Sequence, residues 1–218
     1  MNRGIRFIIP LVLAAAVFSS CGTQTQLTAQ WKDPSSTGAP NQKIFVLALT
    51  GNQRNMMIWE TGMNQALTSV GVTPIPGSSV INLNPGSPPP DSMTVVQLVK
   101  SSGADLVMVS RLLSVDQVQT YVPGTVGYVG GYGYGGMGYG GYYSGGMAYT
   151  SSPGYYETDT QYELETNVFD IKTERLVWSG ASQTVDPSDA SNLASSVSTA
   201  IVTNMVATGV IVQGKAKK

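Results

Sequence analysis

The strongest pattern in the chain is an unbroken apolar run, Ile44-Phe45-Val46-Leu47-Ala48-Leu49, closed by Thr50-Gly51-Asn52. A run of this length without polar alternation predicts a strand buried on both faces. A helix is predicted next. Met56, Trp59, Met63, Ala66, Leu67 and Val70 recur at steps of three and four, and Gly71 stands where a helix stops. Val72-Thr73-Pro74-Ile75 reads as a short strand, and Pro74 places it at a sheet edge. A loop rich in Pro, Gly, Ser and Asn covers 76–90. Asp91 or Ser92 then caps a second helix, with Val95, Val96, Leu98 and Val99 on its apolar face and Gly103 as its stop. Leu106-Val107-Met108-Val109 is another buried strand. It continues through Leu113-Ser114-Val115 into an alternating tail that ends near Val122.

The last third alternates cleanly. Tyr162, Leu164, Thr166 and Val168 interleave with Gln161, Glu163, Glu165 and Asn167, giving one apolar and one wet face. Asp170 to Arg175 is a polar turn. Leu176-Val177-Trp178-Ser179-Gly180 starts the returning strand, which runs towards Val185. Asp186-Pro187 or Ser188 caps a final helix in which Leu193, Val197, Ile201 and Met205 step by four, and Gly209 ends it. The order β-α-β-α-β-β-β-α predicts one α/β domain over 43–212. Its mixed sheet of about five strands is covered by helices.

Two segments break this pattern. Residues 121–156 hold ten of the 11 tyrosines and 13 of the 25 glycines, and no charged residue. Glycine is costly to order and the segment has few aliphatic residues, so a long Gly/Tyr-rich loop inserted between two strands is expected. Tyrosine combines a large flat surface with a hydroxyl. Tyr128, Tyr132, Tyr134, Tyr139, Tyr142 and Tyr143 are therefore candidate partner-binding residues. The alternatives are a tolerated low-complexity loop or a membrane-inserting hairpin. Glycine density and the lack of strict apolar alternation speak against the hairpin.

At the other break, Arg3 and Arg6 precede an apolar run from Phe7 to Phe18, followed by Ser19, Ser20 and the chain's one cysteine, Cys21. Twelve apolar residues are too few to span a bilayer, which takes roughly 20. The arrangement reads as a signal peptide over 1–20. Val17-Phe18-Ser19-Ser20-Cys21-Gly22 resembles the lipobox of bacterial lipoproteins, with Phe18 where leucine is commoner. The resemblance implies cleavage before Cys21 and lipid attachment there. Gly22 takes the place of the aspartate that retains many lipoproteins in the inner membrane, which implies the periplasmic face of the outer membrane, or the cell-membrane surface in a host without an outer membrane. Two or more acyl chains hold a protein stably at ~0.8 kcal/mol per buried methylene. Residues 21–42 read as a polar tether spanning on the order of 25 Å, in which Trp31 could dock on the domain. Residues 213–218 read as a solvated basic tail.

Composition narrows the chemistry. After residue 20 the chain keeps ten Lys+Arg against 13 Asp+Glu, a charge of −3, so nucleic acid is not an expected partner. Histidine is absent and Cys21 is assigned to lipid, so no metal and no other cofactor is expected. No serine triad can form without histidine. Gly131-x-Gly133-x-x-Gly136 matches a dinucleotide pattern only through glycine density, because no helix follows it. Glu163 and Glu165 share a strand face roughly 7 Å apart, a spacing that would suit an acid/base pair, although a solvated face explains them more simply. Arg54 and Arg111 are candidate anion contacts; single arginines usually sit in salt bridges. No catalytic site is expected.

A further resemblance rests on three stretches: the buried strand Ile44–Leu49, the strand entry Gly103-Ala104-Asp105-Leu106-Val107, and the hairpin from Phe169-Asp170-Ile171-Lys172-Thr173 to Leu176-Val177-Trp178-Ser179-Gly180. Together they resemble a group of envelope lipoproteins with an α/β domain similar to the amino-terminal domain of TolB, the lipoprotein activators of penicillin-binding proteins, and the curli secretion lipoprotein. The resemblance implies a non-enzymatic binding or accessory module for an envelope protein or glycan. The alternative it leaves is a structural subunit of an oligomeric secretion or surface assembly.

Overall fold

The computed structural model describes Thr23 and residues 25–81, 91–128 and 149–214. Cys21 and the signal segment lie outside the described residues. The mixed α/β class is as the pattern predicts, with six strands in the main sheet where about five were expected. In chain order the elements are β1 (Thr25–Lys32), β2 (Lys43–Leu49), α1 (Gln53–Ser69), β3 (Thr73–Pro76), a 3-10 turn (Gly77–Ser79), α2 (Ser92–Ser101), β4 (Leu106–Val122), β5 (Val126–Tyr128), β6 (Tyr149–Ser151), β7 (Tyr155–Asp170), β8 (Leu176–Val185) and α3 (Ala190–Ala207). The sheet order is β1-β8-β7-β4-β2-β3. β2 runs parallel to β3 and β4, while β4, β7, β8 and β1 pair antiparallel in turn.

β2 is apolar at consecutive positions because helices cover both of its faces. Ile44, Val46 and Ala48 join Met63, Leu67, Met108, Val168, Trp178, Ile201 and Met205 under α1 and α3. Phe45 and Leu47 point to the other face and pack with Val99 of α2 and Ile81. α2 covers only that end of the second face. The β7–β8–β1 end is bare there, so Gln161, Glu163, Glu165 and Asn167 can be polar. All three helices stop where glycine was expected, with Gly71, Gly103 and Gly209 at φ of 80°, 71° and 69°. Asp91 accepts from the Thr94 amide as the α2 cap. The α3 cap is Asp189, accepting from the Asn192 amide, rather than Asp186 or Ser188. Asp186 instead takes a left-handed turn (φ 43°), from which its carboxylate accepts from the Thr160 amide at 2.7 Å.

The expected tether over 21–42 is corrected most strongly. Thr25–Lys32 is an edge strand paired with β8 from Thr25↔Thr184 to Lys32↔Trp178. Hydrophobic periodicity does not show it, because only Leu27 packs on the core. Polar contacts fasten it instead. Thr25 Oγ1 meets both Thr184 Oγ1 and Ser196 Oγ, at 2.7 and 2.8 Å. Lys32 Nζ donates to the Thr208 carbonyl at 2.6 Å, at the negative end of α3. Trp31 is a half-exposed residue of this strand.

Candidate binding site

Strand pairing makes β4 and β7 longer than the sheet that holds them. β2 accompanies β4 only from Leu106 to Arg111, and β8 accompanies β7 only from Phe169 back to Gln161. Beyond those points, among the described residues, β4 and β7 pair only with each other, down to Val122↔Tyr155. The result is a two-stranded ribbon that leaves the body of the domain. β5 and β6 continue beyond it as a short antiparallel pair, Val126↔Ser151 to Tyr128↔Tyr149. The ends of the expected insertion are therefore neighbours. Of the six candidate tyrosines, Tyr128 falls on β5; Tyr132, Tyr134, Tyr139, Tyr142 and Tyr143 lie outside the described residues.

The outer edge of β4 from Leu112 to Val122 pairs with no strand among the described residues. Strand edges expose rows of N–H and C=O groups, and proteins usually protect them with Lys, Pro or short length. β3, the edge at one side of the sheet, is protected in this way. It has four residues, including Pro74 and Pro76. The β4 edge has no Lys, Arg or Pro in eleven residues, and Asp116 is its one charge. Leu112, Leu113, Val115, Val118 and Tyr121 are all exposed. A register shift between Leu112 and Ser114 bends the strand where β2 leaves it.

A cavity of about 520 Å³ opens at this bend. It lies past the carboxyl end of β2, beside residues 110–112 in the interior of β4. Leu49, Thr50, Ser110 and Leu112 form its floor, Trp59 and Asn55 of α1 one wall, Tyr162 and Leu164 of β7 another, and Asp189, Ala190 and Leu193 the third. Both helix N-termini beside it are occupied by their own caps. Asn52 Oδ1 accepts from the Arg54 and Asn55 amides, and Asp189 Oδ1 accepts from the Asn192 amide. Arg111 Nε is held by Glu165 Oε2 at 2.6 Å across the β4–β7 pair. Among the described lining residues the one cation, Arg111, is therefore already paired. The lining is aromatic and aliphatic with a polar rim, suited to an apolar side chain or a sugar face.

These pairings settle the other weighed residues. Arg111 and Glu165 are partners, and Glu163 is exposed opposite Ser114. Arg54 is exposed in the first turn of α1. Among the described residues no three acidic or cysteine side chains converge as metal ligands. Sequence reasoning missed Trp59 and Tyr162 as cavity walls, having assigned them to a helix face and a strand face, and gave Leu112 of the floor no role. The missing Lys and Pro after Leu112 were the available signal for the open edge.

No protein-family model matches the chain, and no curated protein does. Among solved structures, the PelC dodecamer from Paraburkholderia phytofirmans is 12% identical, with 88% of this chain and 100% of that chain covered at a TM-score of 0.43. Lipoprotein GNA1162 from Neisseria meningitidis is also 12% identical, with 76% and 99% covered at a TM-score of 0.40. Likeness of this size carries nothing about role.

Proposed function

We propose that the chain is a lipid-anchored envelope protein, held through Cys21 at the periplasmic face of the outer membrane, that binds a protein partner without catalysing a reaction. The observation that carries the binding mode is the open β4 edge beside an apolar cavity. An extended segment of a partner adds a strand to Leu112–Val122, and one of its apolar side chains enters the cavity between Trp59 and Tyr162. Main-chain hydrogen bonds supply affinity in this mode, and the pocket supplies selectivity. The non-enzymatic reading is supported by the absence of histidine and by the engagement of Arg111 with Glu165, which leaves Glu165 unavailable as a free acid or base.

The test is photocrosslinking in cells, with a photoreactive residue at Leu113 or Gln117 on the edge and at Lys172 at the opposite end as control. The reading predicts a discrete adduct from the two edge positions and none from Lys172, with mass spectrometry naming the captured chain. An adduct made only of this chain would turn the reading towards a self-assembling subunit. No edge adduct at all would contradict strand addition.

A further inference from the structure

The chain's amino-terminal strand and its projecting ribbon leave the sheet at the same end. Thr25, Thr184, Tyr162 and Val115 form one row across β1, β8, β7 and β4. From this row the ribbon continues for seven residues, Tyr162 to Tyr155, a distance of about 23 Å at the usual strand rise. β1 is antiparallel to β8, and β8 to β7, so the chain preceding Thr25 heads in the same direction. Cys21 is four residues before Thr25, and so lies within about 14 Å of it however far the chain extends. A bilayer holding lipid on Cys21 is therefore within reach of the ribbon's end of the domain.

We propose that the far end of the β4–β7 ribbon, Tyr121, Val122, Tyr155 and Tyr156 at the base of the β5–β6 pair, rests in the headgroup layer of the phospholipid membrane that holds Cys21. This rests on the lipidation of Cys21. Tyrosine favours that layer because its ring is apolar and its hydroxyl is wet. Tyr121, Tyr155 and Tyr156 are 55%, 57% and 69% exposed, high values for large rings on paired strands. Tyr121 and Tyr156 are stacked at a tilt, with centroids 5.2 Å apart, as one aromatic unit. The sequence joining the two strands carries no charge between Tyr121 and Tyr156, so no ion must be dehydrated at the tip. Glu157, opposite Thr120 on the next rung, limits the depth. Its carboxylate stays in water, which keeps the body-side rungs of the ribbon out of the bilayer.

The test uses the full processed lipoprotein in vesicles of phosphatidylethanolamine and phosphatidylglycerol. Lipid on Cys21 removes its thiol, so Thr125→Cys near the tip, or Lys172→Cys at the opposite end, gives a single labelling site for an environment-sensitive fluorophore. The proposal predicts a blue shift and quenching by brominated acyl chains at position 125 and neither at 172. Replacing Tyr121, Tyr155 and Tyr156 together by Ser should abolish the quenching at 125. Intact-mass measurement reports the lipid on Cys21 separately. If the lipid is present and position 125 behaves as position 172 does, the tip contact is overturned and the anchor stands. If the lipid mass is absent, the anchor reading fails, and the tip contact loses its basis with it.

Discussion

Thr25 Oγ1 lies 2.7 Å from Thr184 Oγ1, so the first strand is fastened to the sheet four residues after Cys21. This relationship turns an expected tether into part of the fold. Deleting Thr25–Lys32 should strip β8 of its partner strand and expose its edge. Net hydrogen-bond contributions of ~0.5–1.5 kcal/mol each give a loss on the order of 3–5 kcal/mol. Thermal melting should show a fall of roughly 10 °C or more, since a domain of this size moves ~2–4 °C per kcal/mol. An unchanged Tm would restore the tether.

Glu60 predicts a pH effect. The residue is 1% exposed, and its carboxylate accepts from the Ser78 amide at 3.0 Å and from the Ser78 hydroxyl. Burial raises its pKa despite these two hydrogen bonds. A raised carboxylate stabilises the fold fully below the ordinary Glu value, and that contribution is lost as pH rises through the folded value. Glu60→Gln keeps an acceptor for Ser78 without the charge. The difference in Tm between variant and wild type should grow in the variant's favour as pH rises from the ordinary carboxylate range towards neutrality. A difference that does not change with pH would show that Glu60 is not strained by its burial.

Gly180→Ala tests packing against propensity. A Cβ on Gly180 would stand 2.4 Å from Cη2 of Trp178, whose indole is fully buried and donates to Asn204 Oδ1 at 3.2 Å. Alanine is the better strand residue on entropy alone. Overpacking by ~1–3 kcal/mol should win and lower Tm by roughly 3–10 °C. A gain in Tm would mean that Trp178 moves freely.

These cases show what the sequence made legible. β2, the three helices with their glycine stops, and the alternation of β7 follow from burial, and burial writes itself into hydrophobic spacing. β1 does not, because a polar edge strand held by Thr25, by Lys32 and by Gln30, whose Oε1 accepts from Asn204 Nδ2, depends on partners more than 140 residues away. The cavity was equally hidden. Trp59 and Tyr162 each fit a simple core or strand pattern, and only the crossing of β2, β4 and α3 brings them together. The ribbon was half visible, since one strand was expected to end near Val122 and the next to start near Tyr156, but nothing local says that β2 and β8 end early.

Replacing Gly124–Ser152 by an Asn-Gly turn should leave the domain folded, because Val122 and Tyr155 already pair. Shortening the loop lowers closure cost by ~0.6 kcal/mol per halving, so Tm should hold or rise slightly. If the tyrosines of the insertion carry binding, partner capture falls while Tm does not. A large drop in Tm would show that the segment packs as part of the domain.

Strand addition at β4 is tested most directly by amide hydrogen exchange over residues 112–122, compared between native membranes and the purified lipoprotein. Amides of β4 over 112–122 that face away from β7 have no strand to bond among the described residues. The account predicts fast exchange for these amides after purification and strong protection in the membranes, with Lys172–Arg175 unchanged. Equal exchange in both states would contradict it.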